Sequence, residues 1–178
     1  MPRPRLPLFI LLLTMSFWSA LAGCAQDLQW DVLKHQIRSD YPTVRHISPD
    51  SLHRWLQTDT QPLLLDVREA NEYAVSHLSG AFRIAPDSDD FSALSDVPRD
   101  TPIVAYCSVG YRSSALVVKL QDAGFTNVVN LEGSIFAWAN DGKPLYRDTT
   151  AVEAVHPYNA VWGTLVQRRY HTYKPSSN

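Results

Sequence analysis

Short apolar runs alternate along the chain with stretches in which apolar residues recur at helical spacing. The runs at residues 63–65, 103–105 and 127–131 have the length of buried strands. The stretch at 113–123 has helical spacing, and Gly124 follows it as a typical helix terminator. Strands and helices in alternation predict an α/β domain with a mainly parallel sheet.

The two flanks of this pattern are less regular. Residues 27–39 carry an imperfect helical stripe, which predicts either a tether or a short helix capped by Asp27. The tail has a rough three-to-four spacing that Pro157 and Gly163 interrupt. We expect the tail to pack back across the domain, with a partner surface as the alternative. The predicted organisation is a signal peptide at 1–23, the tether or helix at 24–42, the domain at 43–145 and an extension at 146–178.

The N-terminal segment has the composition of a targeting signal. Arg3 and Arg5 precede an apolar run at 8–18 that is too short to span a bilayer comfortably. Residues 21–24, Leu-Ala-Gly-Cys, resemble the lipobox of bacterial lipoproteins, which implies acylation of Cys24. An ordinary cleavage site and an uncleaved anchor are the alternatives. Ala25 resembles the sorting pattern for the outer membrane, so we expect a lipid-anchored protein on the periplasmic side of a bacterial envelope.

The net charge and the cysteine content limit the kinds of partner and chemistry that are expected. The 178 residues include 16 Lys and Arg against 18 Asp and Glu, a net charge of −2 without a basic patch, so no nucleic acid is expected. Removal of residues 1–23 takes away two arginines and gives 14 − 18 = −4. If Cys24 is lipidated, Cys107 is the single thiol and a candidate reactive group. The six His and two Cys lack the spacing of metal ligands, so no metal is expected.

Cys107 lies between the strand at 103–105 and the helix at 113–123. A strand that runs into a helix through about six residues directs backbone N–H groups and a helix N-terminus toward one point. Arg112 adds a cation five positions after the cysteine, so the loop is interpreted as a cradle for a thiolate and the anion derived from it. A buried cysteine acting as a small apolar residue is the alternative. The other expected contributors to the cradle are Ser108, Val109, Gly110, Tyr111 and Ser113.

A lowered thiol pKa by itself gives little acceleration. A decrease from about 8.5 to about 6.5 raises the thiolate fraction at pH 7 from roughly 3% to about 75%. The accompanying loss of nucleophilicity is about eightfold, so the net gain is about threefold. Stabilisation of a charged intermediate explains the loop better than simple activation of the thiol.

Segments around this loop resemble, in the same order, those of rhodanese-like sulfurtransferases. The matching segments are 63–69 (Leu-Leu-Leu-Asp-Val-Arg-Glu), 72–73 (Glu-Tyr), 77–81 (His-Leu-Ser-Gly-Ala) and 123–138. The resemblance covers about residues 43–145 and implies about five strands with helices on both faces of the sheet. Ser76, Ser79 and Ser134 depart from it at positions where the family often has Gly, Pro and Gly.

The resemblance implies transfer of a sulfane sulfur without a cofactor. Cys107 is expected to attack a donor such as thiosulfate or a persulfide, hold the sulfur as a persulfide and pass it to a thiol or cyanide-like acceptor. Arg112 is expected to stabilise the anionic donor and the persulfide. Asp66 and Arg68 follow the neighbouring strand and are supporting candidates, with loop hydrogen bonding and an ion pair as their alternatives. His77 lies in a turn where the family has a structural residue, so we do not expect a base there.

Two other functions remain open at this point. The domain could serve as a non-catalytic binding module at the envelope, although both Cys107 and Arg112 are present. A cysteine phosphatase or arsenate reductase also places Cys and Arg around an anion, but those families have five residues between the two. This loop has four, residues 108–111, and the smaller ring suits one sulfur atom better than a phosphate.

Overall fold

The computed structural model describes residues 26–175. Its central strands are β1 (His46–Ile47), β2 (Leu63–Asp66), β3 (Phe82–Arg83), β4 (Ile103–Tyr106) and β5 (Val128–Leu131). Its helices are α1 (residues 26–40), α2 (Pro49–Trp55), α3 (Ala70–Val75), α4 (Tyr111–Asp122) and α5 (Ser134–Asn140). Within the described range the five strands form one parallel sheet in the order β1-β5-β4-β2-β3. The predicted α/β fold is confirmed, although β3 was not among the predicted strands.

Alternate side chains of the central strands enter two separate cores. Leu64, Val104 and Val129 lie on one side of the sheet together with buried side chains of α2 and α5. Leu65 and Ile103 lie on the other side, against the apolar face of α4. Because successive side chains of a strand point to opposite faces, a continuous apolar run buries both faces of a parallel sheet. The sheet is therefore covered on both sides, and its loops at the carboxyl ends of the strands are left to form a site.

The N-terminal flank forms helix α1, one of the two predicted alternatives, but the helix already includes Gln26, so Asp27 lies inside it and is not its N-cap. Ile37 is buried, and Trp30 and Leu33 pack against the core that contains α2 and α5. At the start of α1, Gln26 donates a hydrogen bond from Nε2 to the carbonyl oxygen of Thr164 at 3.2 Å. Helix α1 and the C-terminal extension therefore contact each other as well as the domain.

The C-terminal extension packs back across the domain. It begins with an antiparallel hairpin of β6 (Leu145–Arg147) and β7 (Thr150–Val152), which the sequence pattern did not predict. Two 3₁₀ turns follow, Trp162–Leu165 and Arg168–Tyr170. Val155 and Val166 are buried in the same core as α2 and α5.

The predicted signal peptide at 1–23 and the predicted acylation site Cys24 lie outside the described residues. Between residues 26 and 175, no helix is long and apolar enough to cross a membrane.

Candidate active site

The thiol of Cys107 lies at the carboxyl end of β4, in the turn that leads into α4. The residue is 1% exposed, and its Sγ accepts a hydrogen bond from the Gly110 N–H at 3.1 Å. Gly110 has a φ of +113° and precedes the first residue of α4. The backbone conformation favours glycine, and a Cβ at this position would lie in tight contact, 3.2 Å from Nδ2 of Asn130.

Strand β5 and helix α5 hold the loop from behind. Asn130 on β5 donates from Nδ2 to the Gly110 carbonyl oxygen and accepts from the Ser113 hydroxyl. The first N–H groups of α5, at Ile135 and Phe136, donate to the carbonyl oxygens of Cys107 and Ser108. The N–H groups that a helix leaves unpaired at its start are thus used to fix the loop.

Ser134, at one of the positions where the sequence departs from the family resemblance, begins α5 beside the cysteine. Ser134 has a φ of +50°, in the left-handed region that favours glycine. Its hydroxyl accepts a hydrogen bond from the Cys107 N–H at 3.1 Å. The side chain therefore takes part in orienting the cysteine.

The surroundings of Cys107 favour the thiolate. Burial raises the pKa of the thiol, but the charge of Arg112 and hydrogen bonds from Ser113 and the Gly110 N–H outweigh it. The resulting pKa lies below the usual value for cysteine. This is the electrostatic arrangement expected of a reactive cysteine.

Arg112 also forms an ion pair with Glu72, a residue that the sequence analysis left without a role. Its Nη1 and Nη2 each lie 2.9 Å from one carboxylate oxygen of Glu72. The Ser108 hydroxyl accepts from Nη2 of Arg112 at 2.9 Å and donates to Glu72 at 2.8 Å. Burial raises the pKa of Glu72, but Arg112, the Glu69 N–H and Ser108 together lower it below its usual value. Glu72 was visible only as part of the Glu-Tyr segment that carries the resemblance.

The supporting candidates Asp66 and Arg68 form a separate ion pair. Both side chains are fully buried, and Nε and Nη2 of Arg68 contact the Asp66 carboxylate at 2.9 and 2.6 Å. Nη2 also donates to the Ser76 carbonyl oxygen at 2.6 Å. His77 stacks on the ring of Tyr73 at a centroid distance of 4.0 Å. None of these side chains is among the described residues that surround the cavity at Cys107.

A cavity of about 320 Å³ opens beside Cys107. Five of the predicted site residues line it, namely Cys107, Ser108, Val109, Tyr111 and Arg112. Gly110 and Ser113 lie behind the thiol, where they supply the contacts described above. The remaining wall comes from both flanks of the domain, through Leu33, Gln36, Tyr158 and Trp162. None of these four was predicted to belong to the site, because their segments have no motif and meet the loop only in the folded chain.

The family model of the rhodanese-like domain matches residues 48–141, just over half of the chain. The chain belongs to the rhodanese-like domain family. The match includes the Cys107 loop and Glu72, whereas α1 and the residues of the C-terminal extension that line the cavity lie outside it.

Relatives within the rhodanese-like family are named sulfurtransferases. A sulfurtransferase of Allochromatium vinosum is 32% identical over 102 residues, which are 57% of this chain and 94% of the relative. The probable adenylyltransferase/sulfurtransferase MoeZ of Mycobacterium tuberculosis is 35% identical over 100 residues, 55% of this chain and 25% of the relative. Among solved structures, a thiosulfate sulfurtransferase from Pseudomonas aeruginosa has a TM-score of 0.54 and 28% identity, over 59% of this chain and 20% of that one.

The rhodanese-like match covers only part of several relatives. The chain spans about a quarter of MoeZ and 31% of a tRNA uridine(34) hydroxylase of Chlamydia trachomatis that is 35% identical over 101 residues. The same domain thus occurs in proteins with different names. Family membership and the sulfurtransferase relatives point to sulfur transfer as the activity class.

Proposed function

We propose that this protein is a sulfurtransferase in which Cys107 carries the transferred sulfur as a persulfide. The Cys107 thiolate attacks the sulfane sulfur of a donor, and the bond between that sulfur and the rest of the donor breaks. With thiosulfate the leaving group is sulfite. With an organic persulfide R–S–SH it is the thiolate R–S⁻, which takes the proton of the transferred sulfur and leaves as R–SH, so the Cys107 persulfide is left as the anion. In the second half-reaction a thiol or cyanide-like acceptor removes the outer sulfur and regenerates the thiolate.

The observation that carries this proposal is the hydrogen bond from the Gly110 N–H to the Cys107 Sγ, combined with Arg112 beside it. Addition of one sulfur atom moves the negative charge outward from Sγ, toward the cavity. The charge then remains near the Arg112 guanidinium, whose side chain is 24% exposed. Preorganised donors of this kind stabilise a charged intermediate without having to reorient during the reaction.

Mass spectrometry of the intact protein tests the proposal. Incubation with thiosulfate or an organic persulfide should add the mass of one sulfur atom to a peptide that contains Cys107. Cyanide should remove it as thiocyanate, and dithiothreitol should remove it as sulfide. Cys107→Ser should lose both the mass gain and turnover while it folds normally, because the change is nearly isosteric. A wild-type protein that acquires no sulfur from any of these donors would favour a binding module.

We further propose that the protein acts at the bacterial envelope, anchored through a lipid on Cys24. The support is the arginine-containing start, the short apolar run and the Leu-Ala-Gly-Cys sequence of residues 21–24. Metabolic labelling with a fatty acid should mark the wild type and leave Cys24→Ala unlabelled. Label that persists in the variant would contradict the anchor.

A further inference from the structure

We infer that the cavity selects a donor that bears an apolar organic group next to its sulfur–sulfur bond, as organic persulfides and thiosulfonates do, and that carries at most one negative charge. This inference rests on the proposed sulfur transfer and specifies the substrate class of the same site. Small inorganic dianions, thiosulfate among them, are then poorer substrates than organic thiosulfonates or persulfides.

The part of the cavity wall outside the active-site loop is mostly apolar and aromatic, with Gln36 as the one polar amide among the described residues that form it. Leu33 comes from α1, whereas Tyr158 and Trp162 come from the C-terminal extension. Both segments lie outside the part of the chain that matches the family model. A rhodanese-like loop is thus combined here with a wall that the family match does not include. Thiosulfate has no group that could use such a wall, whereas an alkyl or aryl group would be buried against it.

The charges at the cavity also favour a donor with at most one negative charge. Arg112 is the only cationic side chain among the described residues that line it. Both carboxylate oxygens of Glu72 already contact its guanidinium, and Glu72 itself is buried. The thiolate and Glu72 together carry two negative charges against one positive charge. A dianionic donor would therefore enter without a second cation to balance it.

The extension is held in place by specific contacts. The Ser76 hydroxyl donates to the Ala154 carbonyl oxygen, and the Val155 N–H donates to the Tyr170 carbonyl oxygen at 2.6 Å. Tyr158 has a φ of +63°, which is a strained conformation for a large side chain. In this conformation its ring lies 5.0 Å from the Arg112 guanidinium carbon. An aromatic ring of the extension therefore lies beside Arg112 at the cavity.

The Asn159 side chain fixes Trp162. Its Oδ1 accepts hydrogen bonds from the N–H groups of Val161 and Trp162 at 3.0 Å, which starts the 3₁₀ turn. Trp162 lines the cavity, whereas its neighbour Val161 is 74% exposed and does not. Trp162 and Leu33 are thus the side chains through which the two flanks can determine specificity.

Three donors that deliver the same sulfane sulfur test this inference on the full chain. Thiosulfate is a dianion, the methanethiosulfonate anion CH₃–SO₂–S⁻ is a small monoanion, and the benzenethiosulfonate anion adds an aryl group. Attack by the thiolate gives the Cys107 persulfide and releases sulfite, methanesulfinate or benzenesulfinate respectively. The measured quantity is the second-order rate of sulfur loading on Cys107, followed by mass spectrometry. We expect rates to increase from thiosulfate to methanethiosulfonate to benzenethiosulfonate, with roughly tenfold or more for the last step.

Substitutions in the apolar wall test directly whether it determines the preference among donors. Leu33→Gln and Trp162→Ala should each lower the ratio of the benzenethiosulfonate rate to the methanethiosulfonate rate by about tenfold. Leu28→Gln makes the same change on an exposed leucine of α1 that is not part of the cavity wall, and should leave the ratio unchanged. Leu33→Gln keeps the inference testable if Trp162→Ala disturbs the extension.

The outcomes separate the inference from the function on which it rests. If none of the donors loads Cys107, the proposed sulfur transfer fails. If the donors load it but thiosulfate reacts as fast as the organic anions, only the substrate class is wrong. A preference confined to the step from thiosulfate to methanethiosulfonate, or equal ratios in Leu33→Gln and Leu28→Gln, would also overturn the role of the apolar wall.

Discussion

Two carboxylate–guanidinium pairs lie beside each other in this molecule, and α3 connects them. In the pair of Asp66 and Arg68, both side chains are fully buried. In the pair of Glu72 and Arg112, Glu72 is 1% exposed and Arg112 is 24% exposed. Nη1 of Arg68 also lies 3.4 Å from the backbone carbonyl oxygen of Glu72. The pairs have the same chemistry and neighbouring positions, but different surroundings.

The difference shows which pair can take part in a reaction. The N–H groups of Arg68 donate to Asp66 and to backbone carbonyl oxygens, so the buried guanidinium interacts with groups inside the fold. Arg112 contacts Glu72 and Ser108, and the rest of its side chain faces the cavity at Cys107. A guanidinium that is enclosed by its partners stabilises a loop, whereas a partly exposed guanidinium can also bind an anion. We therefore interpret Arg68 as structural and Arg112 as the guanidinium that is available for the proposed reaction at Cys107.

The largest expected effect is on stability, and the same substitution in both pairs measures it. Arg68→Met leaves the Asp66 carboxylate buried without a partner, so we expect the free energy of unfolding to fall by about 3–5 kcal/mol. Arg112→Met leaves Glu72 with its contacts to Ser108 and the Glu69 N–H, and water can reach the vacated space. The expected loss is about 1–3 kcal/mol, between the values for exposed and buried pairs. Urea unfolding followed by linear extrapolation gives both numbers.

A double variant serves as the control for the buried pair. Asp66→Leu combined with Arg68→Met removes both charges and should recover part of the stability lost by Arg68→Met alone. Equal losses for Arg68→Met and Arg112→Met would show that exposure does not distinguish the two pairs.

The ion pair of Asp66 and Arg68 could be predicted from the sequence more easily than the ion pair of Glu72 and Arg112. Asp66 and Arg68 are two positions apart, so an ion pair between them could be anticipated from local spacing. Glu72 and Arg112 are 40 positions apart and meet only because α3 and α4 begin at the same end of the sheet. Leu33 and Trp162 are farther apart still, and their segments carry no motif.

Local signals predicted the sheet and the cysteine loop, because apolar runs and the Cys–Arg spacing are properties of short segments. The start of α4 was predicted two residues late, at Ser113 instead of Tyr111. The left-handed backbone of Gly110 allows the chain to turn directly into the helix. The hairpin of β6 and β7 was missed because each of its strands has only three residues.

The second prediction concerns the reactivity of Cys107. Arg112→Met removes the nearby cation and leaves Glu72 unpaired, so the pKa of Cys107 should rise. Glu72→Gln removes a nearby negative charge, so the pKa should fall. When the pH is below the pKa, a rise in the pKa lowers the thiolate fraction and slows alkylation, and a fall in the pKa has the opposite effect. The pH dependence of alkylation by iodoacetamide reports both shifts.

Arg68→Met is the matched control for this measurement, since it removes an arginine that does not line the cavity. Its midpoint of alkylation should stay close to that of the wild type under conditions in which the variant is folded. A rise as large as that in Arg112→Met would mean that Arg68 also acts on the thiol and that the comparison of the two pairs is wrong.

The smallest expected effect is the pH dependence of the stability that the ion pair of Glu72 and Arg112 contributes. The folded-state pKa of Glu72 is lowered from 4.5, since Arg112 and two further donors outweigh its burial. A carboxylate with a depressed pKa stabilises the fold fully above its unfolded-state pKa of about 4.3, and loses that contribution as the pH falls through its folded-state value. Glu72→Gln cannot titrate, so the stability difference between wild type and variant should be constant from pH 7 to 5 and shrink below about pH 4.3.

The measurement is urea unfolding of both proteins at several pH values between 7 and 3. The other carboxyl groups are common to both proteins and cancel in the difference. We expect that difference to decrease by about 1.4 kcal/mol for each unit by which the pKa of Glu72 is depressed. Glu153→Gln, which removes an exposed carboxylate from the extension, controls for the loss of one negative charge. A difference between wild type and Glu72→Gln that stays constant down to pH 3 would mean that the bonds from Arg112 do not favour the ionised carboxylate. The positive charge of Arg112 would then be less compensated by Glu72 than the geometry indicates.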